Sequence, residues 1–472
     1  MRGTVTTYFL DRGFGFITGE DGRDYYVSQS YILDADFRYL ERGEEVVFAA
    51  VKTLRGIQAH HVKRYIPDAE AQAAGKSWVP AKMNPFTPQD PITDPMLFAG
   101  REEYVDIGLD AVLNSQNILV TGERGVGKSS YSTQMLTIAS GDFTLLDQLV
   151  IPNPELDLGR LGVSYTCEPG DTMQVIAGSI AEAIETEARS EIPSKTSSTF
   201  GFNKIVSASH TIEYEDGAIP SLAGAFAESV ARAVLAADGR FDGVCILIDE
   251  IDVLDTGVPL APFLKASIET LRLRGVSNVS FVVTGISGEV TNFLRQHSSV
   301  ARLFMNVHLD PMIERELKDV VVRALAGTDV VIHPKALDAI IAHSGCLPAS
   351  VQLLGYYAYK ANTDSHIDTH DVDKAIGVVV RQIRKQFYRD LRDTLAATGP
   401  NARVLLQVLA DYSSVNSALA ADTGNIGEEA ALIALEKLQD TGAVIGASGQ
   451  YGFRDPLFGE FLRSSPNGLW LS

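Results

Sequence analysis

A glycine-rich stretch, residues 122–129, combines the residue types that bind the phosphates of a nucleotide. It reads GERGVGKS and fits the pattern G-x-x-x-x-G-K-[ST]. In that pattern the backbone N–H groups surround phosphate oxygens, Lys128 reaches the β- and γ-phosphates, and the Ser129 hydroxyl faces Mg²⁺. The candidate nucleotide-binding residues here are Gly122, Glu123, Arg124, Gly125, Val126, Gly127, Lys128, Ser129 and Ser130.

Polar side chains follow two apolar runs further along the chain. Asp249 and Glu250 directly follow the apolar run 244–248, and Thr284 directly follows the run 279–283. Asp249 can hold the Mg²⁺ shell with Ser129, and Glu250 can polarise a water for attack on a γ-phosphate. Thr284 can bond that water or the γ-phosphate. The spacing therefore predicts hydrolysis of a nucleoside triphosphate, with Lys128, Glu250 and Thr284 as catalytic residues.

These residues need an α/β framework to bring them together. Residues 118–120 predict a buried strand ahead of the glycine loop, and residues 131–139 predict a helix after it. The runs before Asp249 and Thr284 have the length and branched content of central strands in a parallel sheet. Ligands bind outside the carboxyl ends of such strands, so the motifs are expected at one sheet edge.

This combination resembles the AAA+ and STAND superfamily of P-loop ATPases, in its origin-recognition-like and archaeal-ATPase branches, over about residues 96–361. The resemblance implies ATP as ligand and a homo-oligomer with ATP. Residues 98–102, which include Arg101, resemble the box that helps to form the adenine pocket. Arg302 stands where an arginine finger acts on a neighbouring subunit's nucleotide; Arg295 is a rival, and a surface arginine in a salt bridge is the alternative. Ala349 follows Pro348 where many AAA+ proteins carry the sensor 2 arginine, which favours the STAND-like side.

Residues 1–67 alternate as short strands joined by turns, and they resemble a cold-shock domain, an OB-type β-barrel that binds single-stranded nucleic acid. The resemblance rests on the sequences RGFGFI at residues 12–17 and DYYVS at residues 24–28. Basic and acidic side chains balance in this segment, so a barrel used for protein docking is the alternative. The candidate base-stacking residues are Tyr8, Phe14, Phe16 and Tyr26.

The carboxyl-terminal segment, residues 371–472, reads as helical. Residues 372–394 predict a helix with a basic face, and residues 404–409, 415–420 and 428–438 predict three shorter helices. A hairpin over residues 444–453 then resembles the wing of a winged helix-turn-helix. The candidate recognition helix is acidic, which favours a protein partner over DNA.

Composition sets the outer limits. The chain has 472 residues, a net charge of −20 and 45% hydrophobic residues, which suits about three globular domains and argues against general polyanion binding. Cys167, Cys245 and Cys346 are expected as buried thiols, and no signal peptide or membrane-length run is evident, so we expect a cytoplasmic protein without a membrane partner. The predicted fold class is multi-domain α/β: a barrel (1–67), a linker (68–95), a P-loop core (96–310), a helical lid (311–370) and a winged helix (371–472).

The function predicted from these motifs is an ATP-binding and ATP-hydrolysing switch that senses or remodels nucleic acid, with single-stranded DNA or RNA as partner. Two alternatives stay open. One is a nucleotide-gated protein-interaction scaffold with little hydrolysis, favoured by the acidic surface and by Ala349 at the sensor 2 position. The other is a replication initiator or helicase loader, which rests on the resemblance alone.

Overall fold

The structure is a computed structural model of the whole chain. It describes residues 1–9, 14–28, 32, 40, 42–53, 56–64, 84–152, 158–189, 205–207, 219–237, 239–241, 243–286, 293, 299–399, 401–412 and 414–464. The chain divides into two compact units, one of residues 85–356 and one of residues 1–84 with 357–472. Arg295 and most of the serine-rich segment 191–216 lie outside the described residues.

The amino-terminal strands close into a barrel in the order β1-β2-β3-β5-β4. Alternation explains it, because every second residue points inward, and Val5, Ile17, Val27 and Val46 form its buried core. A β-bulge between Val5 and Thr7 interrupts that alternation on the first strand. The strands are β1 (Arg2–Phe9), β2 (Phe14–Gly19), β3 (Asp24–Ser28), β4 (Glu45–Thr53) and β5 (Gly56–Arg64).

The unit of residues 85–356 is built on a parallel sheet with the order β11-β6-β10-β9-β7-β8. Its central strands β6 and β9 are buried along their whole length, as the continuous apolar runs predict. A short strand, β8, lies inside the serine-rich segment 191–216 and extends the sheet. The strands are β6 (Asn117–Gly122), β7 (Arg160–Thr166), β8 (Ile205–Ser207), β9 (Gly243–Asp249), β10 (Val279–Ile286) and β11 (Phe304–Leu309).

Helices cover the two faces of this sheet and form two apolar clusters with it. They are α1 (Glu102–Leu113), α2 (Lys128–Ala139), α3 (Thr144–Leu149), α4 (Met173–Arg189), α5 (Ile219–Ala236) and α6 (Leu260–Leu273). Within the described ranges one helix, α5, is long and apolar enough to cross a membrane by length and composition. Its buried face, which includes Phe226 and Val230, belongs to the core cluster shared with α4 and α6.

After the sheet come α7 (Glu314–Ala326), β12 (Val331–Ile332), α8 (Pro334–Ala342) and α9 (Pro348–Ala361). Part of the segment predicted as a linker is packed here. The Phe86 ring is 2% exposed, and an added Cβ on Gly355 of α9 would lie 2.4 Å from it. We call residues 85–94 the strap; it belongs to this unit instead of spacing two domains. The prolines of this segment predicted an extended linker. The Phe86 ring, buried against Gly355 of α9, instead holds the strap in this unit.

The carboxyl-terminal segment contains the predicted helices and hairpin. Asp368 caps the long helix α10, and Gly399, at φ 90°, follows its end. The elements are β13 (His366–Ile367), α10 (Thr369–Thr398), α11 (Asn401–Tyr412), β14 (Ser414–Val415), α12 (Ser417–Gly424), α13 (Glu428–Asp440), β15 (Val444–Ala447), β16 (Gln450–Phe453) and α14 (Pro456–Ser464).

Three of these strands form a sheet in the order β14-β16-β15. Val415 was predicted in a helix but lies in β14, because Asn416 caps α12 and so fixes its start at Ser417, two residues later than predicted. Assignment of this segment to the winged-helix class stays a prediction. The cysteine prediction is wrong in one case: Cys167 and Cys245 are buried, whereas Cys346 is exposed in a left-handed turn at φ 62°.

Candidate functional site

A cavity of about 480 Å³ opens at the carboxyl ends of β6 and β9. It brings together most of the residues predicted to bind nucleotide, although they come from distant parts of the sequence. The predicted residues that line it are Arg101, Arg124, Gly125, Val126, Gly127, Lys128, Ser129, Ser130, Asp249 and Glu250.

The glycine loop forms one wall because its backbone adopts conformations that need glycine. Gly122 has φ 152°, and a Cβ there would lie 2.7 Å from the Leu309 carbonyl oxygen. Gly127 has φ 100° and caps α2, whose first turn carries Lys128 and Ser129. A helix N-terminus with free backbone N–H groups attracts anions, so this wall suits a phosphate group.

Lys128 supplies the positive charge of the site. Its Nζ donates hydrogen bonds to the carbonyl oxygens of Gly122, at 3.2 Å, and Glu123, at 3.0 Å. Burial lowers the pKa of Lys128, while the carboxylates of Asp252, Asp249 and Glu250 act in the opposite direction. A partly buried ammonium group facing three carboxylates suits a polyphosphate with a divalent cation.

Asp249 and Glu250 end β9 at the rim of the same cavity. The Glu250 backbone N–H donates to the Asp249 Oδ1 at 3.0 Å and to the Thr284 Oγ1 at 3.1 Å. Glu250 has φ 58°, a left-handed conformation that costs about 1–2 kcal/mol for a residue with a side chain. Its backbone N–H bonds to Asp249 and Thr284 hold it there.

Thr284 lies behind this pair and not in the wall of the cavity. Its side chain is fully buried, and its hydroxyl donates to the Asp249 Oδ1. The geometry therefore gives Thr284 the task of orienting Asp249. Its predicted contact with a γ-phosphate stays a prediction.

Asp252 also places its carboxylate in the cavity, beside those of Asp249 and Glu250. No role was predicted for it from the sequence. Its Oδ1 accepts a hydrogen bond from the Ile286 backbone N–H at 3.2 Å, which ties the 3₁₀ helix Ile251–Val253 to the end of β10. The signal was present in the sequence, because Asp252 follows Asp249 and Glu250 directly after a buried strand.

Arg101 is the N-cap residue that precedes α1; it has a left-handed conformation, at φ 69°, and is 3% exposed. Its Nη2 donates to the Val126 carbonyl oxygen at 3.1 Å, and its backbone N–H donates to Glu316 at 2.9 Å. Burial lowers its pKa. Arg101 thus fixes the outer side of the glycine loop, next to the apolar side chains of Leu97 and Phe98.

The strap forms a further wall of the cavity, which the sequence did not predict. The Thr87 backbone N–H donates to the Gln352 Oε1 at 3.0 Å, and the Ile92 backbone N–H donates to the Ser130 Oγ at 3.0 Å. Gln134 of α2 returns a bond to the Ile92 carbonyl oxygen at 3.0 Å. The strap therefore joins the glycine-loop helix to α9 along one side of the cavity.

Some predicted residues do not line the cavity. Gly122 and Glu123 belong to the glycine loop but do not line the cavity. Their carbonyl groups accept the hydrogen bonds from Lys128. Arg302 is exposed in the 3₁₀ helix Val300–Leu303 and does not line this cavity. Its role as an arginine finger for a second subunit stays a prediction.

The predicted metal residues fit a magnesium–nucleotide complex better than a bare ion. In the described part of the chain, no group of three His, Cys, Asp or Glu side chains could hold a metal ion by itself. Ser129 and Asp249 both line the cavity. Mg²⁺ usually binds proteins through one or two such oxygens, while phosphates and waters supply the rest.

The barrel carries the second candidate site, a platform of aromatic rings on β1, β2 and β3. The Phe14 ring centroid lies 5.7 Å from that of Tyr26, in a stacked arrangement, and 6.3 Å from that of Phe16. Phe16 is 38% exposed. Phe9 joins them at 5.2 Å from Phe14. Such rings on one open face can stack on bases.

Tyr8, predicted beside these rings, is partly buried and packs against the barrel core; its contact with nucleic acid stays a prediction. It is paired with Gly15, and a Cβ on Gly15 would lie 2.6 Å from the Tyr8 ring. Burial is the main cause that raises the pKa of Tyr8 to about 12. The bulge between Val5 and Thr7 is the reason, because it shifts the alternation and turns Phe9 outward instead.

The fold and the two sites define a multi-domain α/β chain in which a closed barrel precedes a P-loop unit. A family profile described as the 'Cold-shock' DNA-binding domain matches residues 1–65. Cold shock protein 1 of Lactiplantibacillus plantarum is 47% identical over 60 residues, which are 13% of this chain and 91% of that protein. Cold shock-like protein CspC of Bacillus cereus is 42% identical over 62 residues, 13% of this chain and 95% of that protein. Through this segment the chain belongs to the cold-shock family.

Solved structures extend over a larger part of the chain at lower identity. A Walker-type ATPase of Pyrococcus abyssi is 16% identical, with a TM-score of 0.48 over 79% of this chain and 99% of that chain. The ORC2 protein of Aeropyrum pernix is 12% identical, with a TM-score of 0.44 over 77% of this chain and 92% of that chain. The assignment of a nucleotide-binding P-loop therefore rests on the residues that line the cavity.

Proposed function

We propose that this chain is an ATP-dependent switch that binds MgATP in the cavity and single-stranded nucleic acid on the barrel. One observation carries the proposal: the glycine loop with Lys128 and the carboxylates of Asp249 and Glu250 line the same cavity. These groups match the charges of a magnesium–triphosphate complex. The cold-shock membership of residues 1–65 supports the nucleic-acid partner.

Each residue of the cavity has a distinct task in this proposal. Lys128 and the N-terminus of α2 neutralise the phosphates, and Ser129 and Asp249 would hold Mg²⁺, which supplies electrostatic stabilisation of the transferring phosphoryl group. Glu250 orients a water toward the γ-phosphate and accepts its proton. Leu97 and Phe98 offer an apolar surface to the base.

The test for this site compares two variants of the full chain in MgATP binding and phosphate release. Lys128→Ala is expected to lose MgATP binding, because a partly buried positive charge is removed. Glu250→Gln is expected to keep MgATP affinity and to slow hydrolysis by about 100-fold or more. Wild-type affinity in the first variant, or wild-type turnover in the second, contradicts the assigned roles.

A second function, a nucleotide-gated scaffold for protein partners, is supported by the surface of α13. Its solvent face combines exposed Leu432 and Ile433 with exposed Glu428, Glu429 and Glu436. A DNA-reading helix carries basic side chains, so this face suits a protein partner with apolar and basic groups. Ala349, at the cavity wall where the AAA+ resemblance expects an arginine, agrees with slow turnover.

The two functions are distinguished by the affinity of the full chain for a labelled oligothymidylate and a labelled oligouridylate, measured at low and at high salt. The switch predicts binding that weakens with salt and is lost in Phe14→Ala. The scaffold predicts no binding at low salt and MgATP occupancy without measurable phosphate release. Mass photometry with and without MgATP tests the expected homo-oligomer, and Arg302→Ala should slow hydrolysis only if oligomers form.

A further inference from the structure

We propose that Phe9 is a base-stacking residue of the barrel, at the end of β1. The inference rests on the nucleic-acid function proposed for residues 1–65 and assigns a contact within it. Phe9 is 40% exposed, as much as the neighbouring ring of Phe16 at 38%. It continues the row of rings beyond Phe14, so that a bound strand would meet four rings on this face.

Strand register places Phe9 in this row. The partners across β1 and β2 are Val5 with Ile17, Thr7 with Phe16, and Phe9 with Phe14. Val5 and Ile17 point into the barrel core. Without the bulge between Val5 and Thr7, alternation from Val5 would turn Phe9 inward as well. The bulge reverses the alternation, so Phe9 shares the outer face with Phe14.

Ring geometry supports a stacking role over simple surface exposure. The Phe9 and Phe14 rings are tilted by 45° with centroids 5.2 Å apart, and the Phe14 and Tyr26 rings are stacked. Thr7, directly across from Phe16, carries no ring, so that part of the platform has less aromatic surface. The apolar area is therefore displaced toward the end of β1, where Phe9 adds to it.

A nucleic-acid base is the occupant that this surface fits best. Exposed aromatic rings in contact are costly in water, and a base covers them with its flat π-face while its phosphates stay solvated. The barrel belongs to a family described by DNA binding, which gives a direct reason to choose this partner over a protein.

The experiment measures the anisotropy of a fluorescein-labelled oligothymidylate with the full chain. Phe9→Ala is expected to weaken binding by about 5- to 140-fold, the effect of losing one stacked base. Phe9→Leu, which keeps an apolar side chain without a ring, should weaken binding nearly as much. Tyr412→Ala removes an exposed ring from α11 and should leave binding unchanged. Circular dichroism checks that each variant is folded.

A spectroscopic variant tests stacking directly. Phe9→Trp is expected to show tryptophan quenching on addition of the oligonucleotide, beyond the change seen with wild type. Tyr412→Trp should show none.

The outcomes separate this inference from the function on which it rests. If wild type fails to bind at low salt, both are wrong. If Phe14→Ala weakens binding while Phe9→Ala does not, the barrel binds nucleic acid and Phe9 has no part in it. Full binding by Phe9→Leu would also overturn the stacking role, since it would show that apolar bulk alone is enough. Loss of binding in Phe9→Ala and Phe9→Leu with quenching in Phe9→Trp supports it.

Discussion

Replacing Gly355 by alanine tests whether the strap is a working wall of the nucleotide cavity. Gly355 lies inside α9, and a Cβ there would meet three atoms of the Phe86 ring at 2.4–2.7 Å. Real Cβ contacts are not this short, and the rigid ring is buried, so Phe86 must leave its site. The substitution therefore displaces the strap, and none of the residues that line the cavity is replaced.

The magnitude follows from two opposing effects. Alanine improves a helix interior over glycine by about 0.5–1 kcal/mol. Expelling a buried phenylalanine costs about 1.5–3 kcal/mol. The net loss of stability in this unit is then about 0.5–2.5 kcal/mol. Loss of the same anchoring from the MgATP complex would weaken affinity by about 2- to 60-fold.

Gly377→Ala is the matched control. Gly377 lies in α10, where a Cβ would meet its nearest neighbour, the Arg381 Nη1, at an ordinary 3.5 Å. This variant should gain helix stability and keep wild-type MgATP affinity. Thermal unfolding and MgATP titration by calorimetry are the assays. The double variant Gly355→Ala with Phe86→Leu should recover part of the loss, because a smaller side chain relieves the clash.

The reasoning is refuted if Gly355→Ala melts at or above the wild-type temperature and binds MgATP with wild-type affinity. That result would mean that Phe86 moves without cost and that the strap contributes nothing to the cavity. Destabilisation with unchanged affinity would keep the packing argument and reject the functional one.

Three further predictions concern single carboxylates and their partners. Thr284→Val removes the hydroxyl that orients Asp249, so phosphate release should slow by about 10-fold or more while MgATP affinity changes little; equal losses in both would contradict an orienting role. Asp252→Asn removes the carboxylate that most raises the pKa of Lys128, so MgATP binding at alkaline pH should fail at a lower pH than in wild type or in Asp252→Glu. The Tyr25 hydroxyl lowers the pKa of Asp21 below its unfolded value, so this pair stabilises the barrel above the ordinary carboxylate pKa, and the benefit is lost as pH falls through the lowered pKa. Asp21→Asn should accordingly melt earlier than wild type at neutral pH, and the difference should vanish in acid.

Local sequence determined the chemistry of the cavity. The glycine loop, Lys128 and the carboxylates after β9 are short motifs, and each carries its own geometry through glycine conformations and buried strands. The alternation of short strands joined by turns likewise predicted the barrel. Such features depend on neighbours in sequence, so they are visible before the chain is folded.

Tertiary structure decided which side chains share a surface. Proline-rich residues 85–94 looked like a spacer, and only the burial of Phe86 against α9 makes them a cavity wall. Tyr8 and Phe9 differ by one position, and a bulge whose register depends on β2 sends one inward and the other to the surface. Packing and strand register join residues far apart along the chain, and that is why composition and spacing could not reveal them.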